Sequence, residues 1–185
     1  NGVNYDAPNA NQLQINVTGT TFPILWVANY GDSTFSKVNT DGVGCEEARY
    51  LTWFADPRTG SIPFSTGPAP SRTAVNVDGD VYLANRHFDG DIPDLIKFAA
   101  EGGIDRNGNG VIDTSRDLNG DCRITLDEML PVIDGANIGG PGIPGVLDVT
   151  DFYDERVIWV RQFGTNGSLG RSVCLDVDGN VWAGT

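Results

Sequence analysis

At 185 residues the chain is long enough for one domain of ordinary size. Its 24 Gly and 10 Pro make about 18% of the residues against roughly 12% on average, which favours turns and short strands over long helices. Asp and Glu number 25 against 12 Lys and Arg; a net charge of −13 repels nucleic acid and anionic membranes, and no apolar run approaches the roughly 20 residues of a membrane helix.

The acids are 20 Asp and only 5 Glu. Helix surfaces favour Glu, whereas tight turns and hard-cation sites favour the shorter Asp. There is one His, His87, so imidazole chemistry rests on a single residue. Asn1 reads as a processed end, with any targeting segment already removed. Cys45, Cys122 and Cys174 form no CxxC. They allow one disulfide plus a free thiol, or three buried thiols; Cys45 and Cys174 are one candidate pair.

In chain order, Ile24–Asn29 (ILWVAN) reads as a strand, followed by a polar turn and a second strand at Thr34–Val38. A further strand fits Glu47–Thr52. Thr73–Asn85 (TAVNVDGDVYLAN) is two alternating runs about an Asp-Gly turn, and Leu95–Phe98 continues it. Val157–Phe163 (VIWVRQF) supplies an outer strand. Val173–Gly184 (VCLDVDGNVWAG) then repeats the Asp-Gly hairpin at an offset of 100 residues, with Tyr82 matched to Trp182. The expected unit is a four-stranded meander. Asp-Gly is a strong hairpin signal because both turn positions tolerate positive φ.

The phrases DGDVYLAN and DGNVWAGT resemble the repeats of NHL-type propellers and their gluconolactonase-like and streptogramin-lyase-like relatives. The resemblance implies an all-β fold, a partial β-propeller of four-stranded antiparallel blades. An antiparallel β-sandwich is the alternative. Residues 1–100 would hold the first blade and the start of the second, 101–130 an insertion, and 131–185 the end of the second blade and the start of a third. Closed propellers take 4–8 blades. The chain is therefore expected to be a fragment, completed by further blades on missing sequence or another chain, or by a homo-oligomer. Trp26, Tyr82, Trp159 and Trp182 need covering, and Val173–Ala183 is expected to pair with strands from elsewhere.

The insertion, EGGIDRNGNGVIDTSRDLNGDCRITLDEML, is the chemically explicit segment. Its first loop sets Asp105, Asn107, Asn109 and Asp113 at positions one, three, five and nine. Its second sets Asp117, Asn119, Asp121, Thr125, Asp127 and Glu128 at positions one, three, five, nine, eleven and twelve. Calcium takes six to eight oxygens, and this alternation aims every second side chain at one ion. The seventh residues, Val111 and Arg123, would add backbone carbonyls, while Ile112 and Ile124 pack together behind the ions. The loops resemble EF-hand calcium loops, and more closely those of dockerins and thrombospondin type 3 repeats. The first departs from the pattern with Arg116 at position twelve; its bidentate ligand must come from Asp113, Asp117 or elsewhere. The second has Cys122 where Gly is expected, which strains the turn.

His87, beside Arg86, Asp89 and Asp91, reads as a solvated turn residue. Asn16-Val17-Thr18 and Asn166-Gly167-Ser168 match the glycosylation pattern, and Ile138–Pro144 reads as a loop. The functional expectation is a non-catalytic, secreted or cell-surface calcium-binding module for binding or assembly. The alternative is a propeller enzyme of lactonase or lyase type using Asp78, Asn85, His87 and Asp178.

Overall fold

The computed structural model describes residues 3–4, 14–15, 22–42, 44–52, 67–130, 132 and 154–185. The possible glycosylation site at Asn16 and the loop Ile138–Pro144 lie outside them. The fold is all-β, with antiparallel sheets. Strands β1 (Val3–Asn4) and β2 (Gln14–Ile15) form a short ladder. Strands β3 (Ile24–Asn29), β4 (Thr34–Asn39) and β5 (Glu46–Leu51) form a three-stranded meander. Strands β6 (Pro70–Val75), β7 (Val81–Asn85), β8 (Asp94–Phe98) and β9 (Val157–Gln162) form a four-stranded meander in chain order. Strands β10 (Ser172–Leu175) and β11 (Val181–Gly184) form a hairpin.

The second sheet is the full meander expected, and the insertion leaves it between β8 and β9. The first sheet has three strands among the described residues, because β2 pairs with β1 and not with β3. Equivalent residues nonetheless stand in equivalent register. Trp26 faces Lys37 across β3 and β4, as Tyr82 faces Lys97 across β7 and β8. Beyond the third strand of the first sheet and the fourth of the second, Thr52 N–H donates to Ser33 O at 3.1 Å and Phe163 N–H to Pro93 O at 2.9 Å.

The hairpin turns are longer than the Asp-Gly reading implies. Val75 pairs with Val81, leaving residues 76–80 as the connection. Asn76 Oδ1 accepts the N–H groups of Asp78 (3.0 Å) and Asp80 (2.9 Å). Asp176 Oδ1 does the same for Asp178 (3.0 Å) and Asn180 (2.8 Å). An Asx side chain therefore organises each turn. Only Gly79 and Gly179 take positive φ, +88° and +81°, whereas Asp78 and Asp178 do not.

Strand alternation gives the second sheet two apolar faces. Val81, Leu83, Ile96, Phe98, Val157 and Val160 join Phe35, Ala48, Tyr50 and Leu51 of the first sheet in the main core. The Phe98 ring stands 5.3 Å from Phe35 and 4.9 Å from Tyr50. On the other face Tyr82, Ala84 and Leu95 meet Val173, Leu175 and Val181 of the β10–β11 hairpin. The second sheet is thus covered on both sides. Ile124, Met129 and Val132 enter the main core too, so the inserted segment is anchored in it.

Candidate metal centre

The two inserted loops adopt the same local structure. In the first, Asp105 Oδ1 accepts the N–H of Gly108 at 2.7 Å and Oδ2 that of Gly110 at 2.8 Å. In the second, Asp117 Oδ1 accepts from Gly120 at 2.7 Å and Oδ2 from Cys122 at 2.8 Å. The third-position amides, Asn107 and Asn119, accept from the fifth residue's N–H at 2.9 and 2.8 Å. Asn109 and Asp121 at position five accept from the seventh, Val111 and Arg123, at 2.8 and 2.9 Å. A short oxygen side chain at every second position therefore curls the backbone by taking the N–H two or more residues ahead.

The structure brings most of the expected first-loop residues together. Asn107 and Asn109 each donate a side-chain N–H to the same Asp113 oxygen, at 2.9 and 2.8 Å. Three of its positions thus meet at one Asp113 oxygen, through the amide nitrogens of the two asparagines. In the second loop Thr125 is the N-cap of a single 3-10 turn, Leu126–Glu128, closed by a capping box with Glu128. Asp127 lies against the Thr125 hydroxyl at 2.6 Å. Partial desolvation pushes the Asp117 pKa up, but the N–H groups of Cys122, Gly120, Asp121 and Asn119 outweigh it and hold the carboxyl below its ordinary value. The N–H groups of Thr125 and Leu118 lower Glu128 likewise. Cys122 occupies the left-handed region at φ +67°, as the expected strain at that position requires.

Residues outside the loops hold them in place, and the sequence motif does not name these. The buried Glu155 carboxylate accepts from Arg106 N–H at 2.7 Å and Asp113 N–H at 2.9 Å. Buried Asp154 accepts from the N–H and hydroxyl of Ser115, at 2.8 and 2.7 Å. Desolvation raises the pKa of Asp154 even though the Ser115 and Arg156 N–H groups oppose it. Glu46 on β5 accepts Ile124 N–H at 3.0 Å. Its burial acts to raise its pKa, but bonds from Arg49, Ser36 and Ile124 prevail and lower it. The Arg106 guanidinium donates to Val157 O and Ile158 O, at 2.8 and 3.0 Å.

The cysteine pairing differs from the candidate pair. Cys45 bonds Cys122, across 77 residues, and Cys174 is exposed and outside any disulfide. The bridge fastens the second loop to the end of the first sheet, where Glu46 N–H also donates to Cys122 O at 3.4 Å. Cys174 stands on β10 opposite Trp182, at the open face of the hairpin.

His87 is the second correction. It is buried in a left-handed conformation, φ +55°. Its Nε2 bonds buried Asp94, and Nδ1 lies 3.3 Å from Asp89. Asn85 donates to the same Asp94 carboxylate at 3.0 Å and to Thr52 O at 2.5 Å, tying the first two sheets together. Burial pushes the imidazole pKa down, but the bond to and charge of Asp94, then Asp89, more than offset this and raise it. His87, Asp89 and Asp91 come close enough to share a cation, with Nδ1 on the side of Asp89 while Nε2 bonds Asp94.

Asp78 and Asp178 lie in the turns before β7 and β11, whereas Asn85 and His87 lie at and beyond the far end of β7. The four residues of the enzyme alternative are therefore not one constellation. Asp78 and Asp178 do line a shared cleft with Phe22, Tyr82 and Leu175. Asn166, the other possible glycosylation residue, is exposed. Among the described residues no helix is long and apolar enough to cross a membrane. Comparison with family models, curated proteins and solved structures gives no match.

Proposed function

We propose that this chain is a non-catalytic, extracellular or cell-surface calcium-binding module built on propeller-type blades, serving binding or assembly. The observation that carries the reading is the repetition of one oxygen-lined loop structure twice in register. The donor set fits a hard cation: oxygens of carboxylates, amides, backbone carbonyls and one hydroxyl, with no sulfur or imidazole. Asp105, Asn107, Asn109, Asp113 and the Val111 carbonyl would hold the first ion. Asp117, Asn119, Asp121, Thr125, Glu128 and the Arg123 carbonyl would hold the second, with Asp127 beside them. Calcium would supply charge neutralisation and rigidity there, not a reaction. The Cys45–Cys122 disulfide supports an oxidising compartment.

The blade reading draws support from the shared register of the first two sheets and from the repeated turns of the second sheet and the hairpin. The partly exposed β10–β11 hairpin supports completion by another sheet, from further sequence or a second copy. A ligand that binds only the folded state stabilises it by about 2.7 kcal/mol at a hundred times its Kd. Adding calcium should therefore raise the Tm and protect residues 101–130 from proteolysis, and excess chelator should reverse both. Identical melting curves and digestion patterns with calcium and with chelator would overturn the calcium reading.

A further inference from the structure

Arg116, at position twelve of the first loop, is exposed and offers no side-chain oxygen to a cation. A carboxylate nevertheless stands where position twelve works in the second loop. There Glu128 Oε1 accepts the N–H of the second residue, Leu118, at 3.0 Å. Its Oε2 accepts the N–H of the ninth, Thr125, at 2.9 Å. In the first loop the second and ninth residues are Arg106 and Asp113. Their N–H groups go to Glu155, Arg106 to Oε1 at 2.7 Å and Asp113 to Oε2 at 2.9 Å. Asn107 N–H adds a longer bond to Oε1, 3.3 Å.

Glu155 is 42 residues beyond Asp113, on the far side of the insertion. Its main chain is fixed against the loop as closely as its side chain. Glu155 N–H donates to Asp113 O at 2.8 Å, and Ile104 N–H donates to Glu155 O at 2.9 Å. Gly103 makes this approach possible, since a Cβ there would lie 2.6 Å from Glu155 O. Glu155 is 1% exposed, and the Arg106, Asn107 and Asp113 N–H groups hold its carboxylate in a fixed orientation. A carboxylate has about four lone-pair sites, and the N–H bonds leave capacity for an ion.

We propose that Glu155 is the missing twelfth-position ligand of the first calcium loop, delivered from the head of β9; this rests on the calcium reading above. The first loop is then a split site, closed only when the chain has returned from the insertion. Its ion fastens the exit from β8 to the entry of β9. The second site draws all its ligands from one continuous run and lacks this clamping role.

Calcium titration calorimetry on the full chain tests the idea with wild type, Glu155→Gln and Glu128→Gln. Wild type should bind two ions. Glu155→Gln should weaken one site at least about tenfold and leave the other unchanged, and Glu128→Gln should weaken the other. If Glu155→Gln fails to fold, the wild type decides by NMR. The side-chain carboxyl carbon resonance of Glu155 should then shift in step with the amides of residues 105–113. Wild-type affinities in a folded Glu155→Gln, or a carboxyl resonance unmoved while those amides shift, would overturn the Glu155 proposal alone. A wild type that takes up no calcium would overturn the calcium reading as well.

Discussion

The β6–β7 and β10–β11 hairpins carry nearly the same phrase, 100 residues apart, and share one turn geometry, yet they differ in burial. Every residue of β7 is buried, while none of β11 is. Tyr82 is 7% exposed and its counterpart Trp182 63%. Local sequence therefore sets strand and turn, and the neighbours set how much each strand contributes to stability. β7 has sheets on both faces, whereas the β10–β11 hairpin meets a sheet through Val173, Leu175 and Val181 on one.

The sharpest way to break this comparison is to truncate both aromatics. Tyr82 packs on Trp159, 5.8 Å between ring centres, and under Lys97. Tyr82→Ala should cost about 3–5 kcal/mol in urea unfolding, the range for large buried aromatics. Trp182→Ala, measured on a particle whose native mass is the 19.8 kDa monomer, should cost under about 1 kcal/mol. Equal losses in that monomer would show that Trp182 is covered within the chain itself.

The turns offer a smaller contrast. Both glycines need positive φ, so Ala should cost about 1–2 kcal/mol at either from backbone strain alone. A Cβ at Gly179 meets nothing within 4 Å, whereas at Gly79 it would press on Phe22 and Ala100 at 3.2 and 3.3 Å. Gly79→Ala should therefore lose about 1 kcal/mol more in the same assay. A Gly179→Ala loss as large would mean that its turn is packed.

The smallest effect is a difference in sign with pH. Asn180 and Trp182, then the Asn180 N–H, hold the exposed Asp176 carboxyl down to about 2. Its stabilisation is present above the ordinary Asp value and is lost as pH falls through the lowered one. His87 runs the other way. Its raised pKa means that the folded state binds the proton more tightly than the unfolded chain. That stabilisation is full below the ordinary His value, about 6.5, and is lost as pH rises through the raised one. The unfolding free energy from urea titrations should therefore fall on the alkaline side by at most about 1.4 kcal/mol per pH unit, and Asp94→Asn should flatten that slope. A slope unchanged in Asp94→Asn would place the titrating group elsewhere.

The strands were legible because apolar alternation needs only neighbours in sequence. Trp26 and Lys37, or Tyr82 and Lys97, could be matched as repeats before their register was seen. The loop positions Asp105 to Asp113 and Asp117 to Glu128 were legible for the same reason, since each lies within twelve residues of its partners. Turn length was misjudged because the organising residue is Asn76 or Asp176, two places before the Asp-Gly pair. The burial of His87 was hidden because it depends on Asp94 and on the strand junction at Thr52. Glu155 carries no local motif at all. Its bonds to the Arg106 and Asp113 N–H groups come from 49 and 42 residues away along the chain, close in space beside Gly103. The partner of Cys45 was equally unreadable, since three thiols allow any pairing.

The Cys45–Cys122 bridge also changes how the molecule would bear load. Tension applied to the two ends would pass from residue 45 to residue 122 through sulfur, bypassing β5 to β8. At roughly 3.3–3.6 Å per extended residue, the 77-residue separation hides about 250–280 Å of slack while the bridge is oxidised. The second loop is divided by the bridge: residues 122–128 lie on the path that carries the force, and 117–121 are bypassed. The four bypassed strands, including the most deeply buried one, are relieved of it, so the disulfide acts as a strain relief for the centre of the protein.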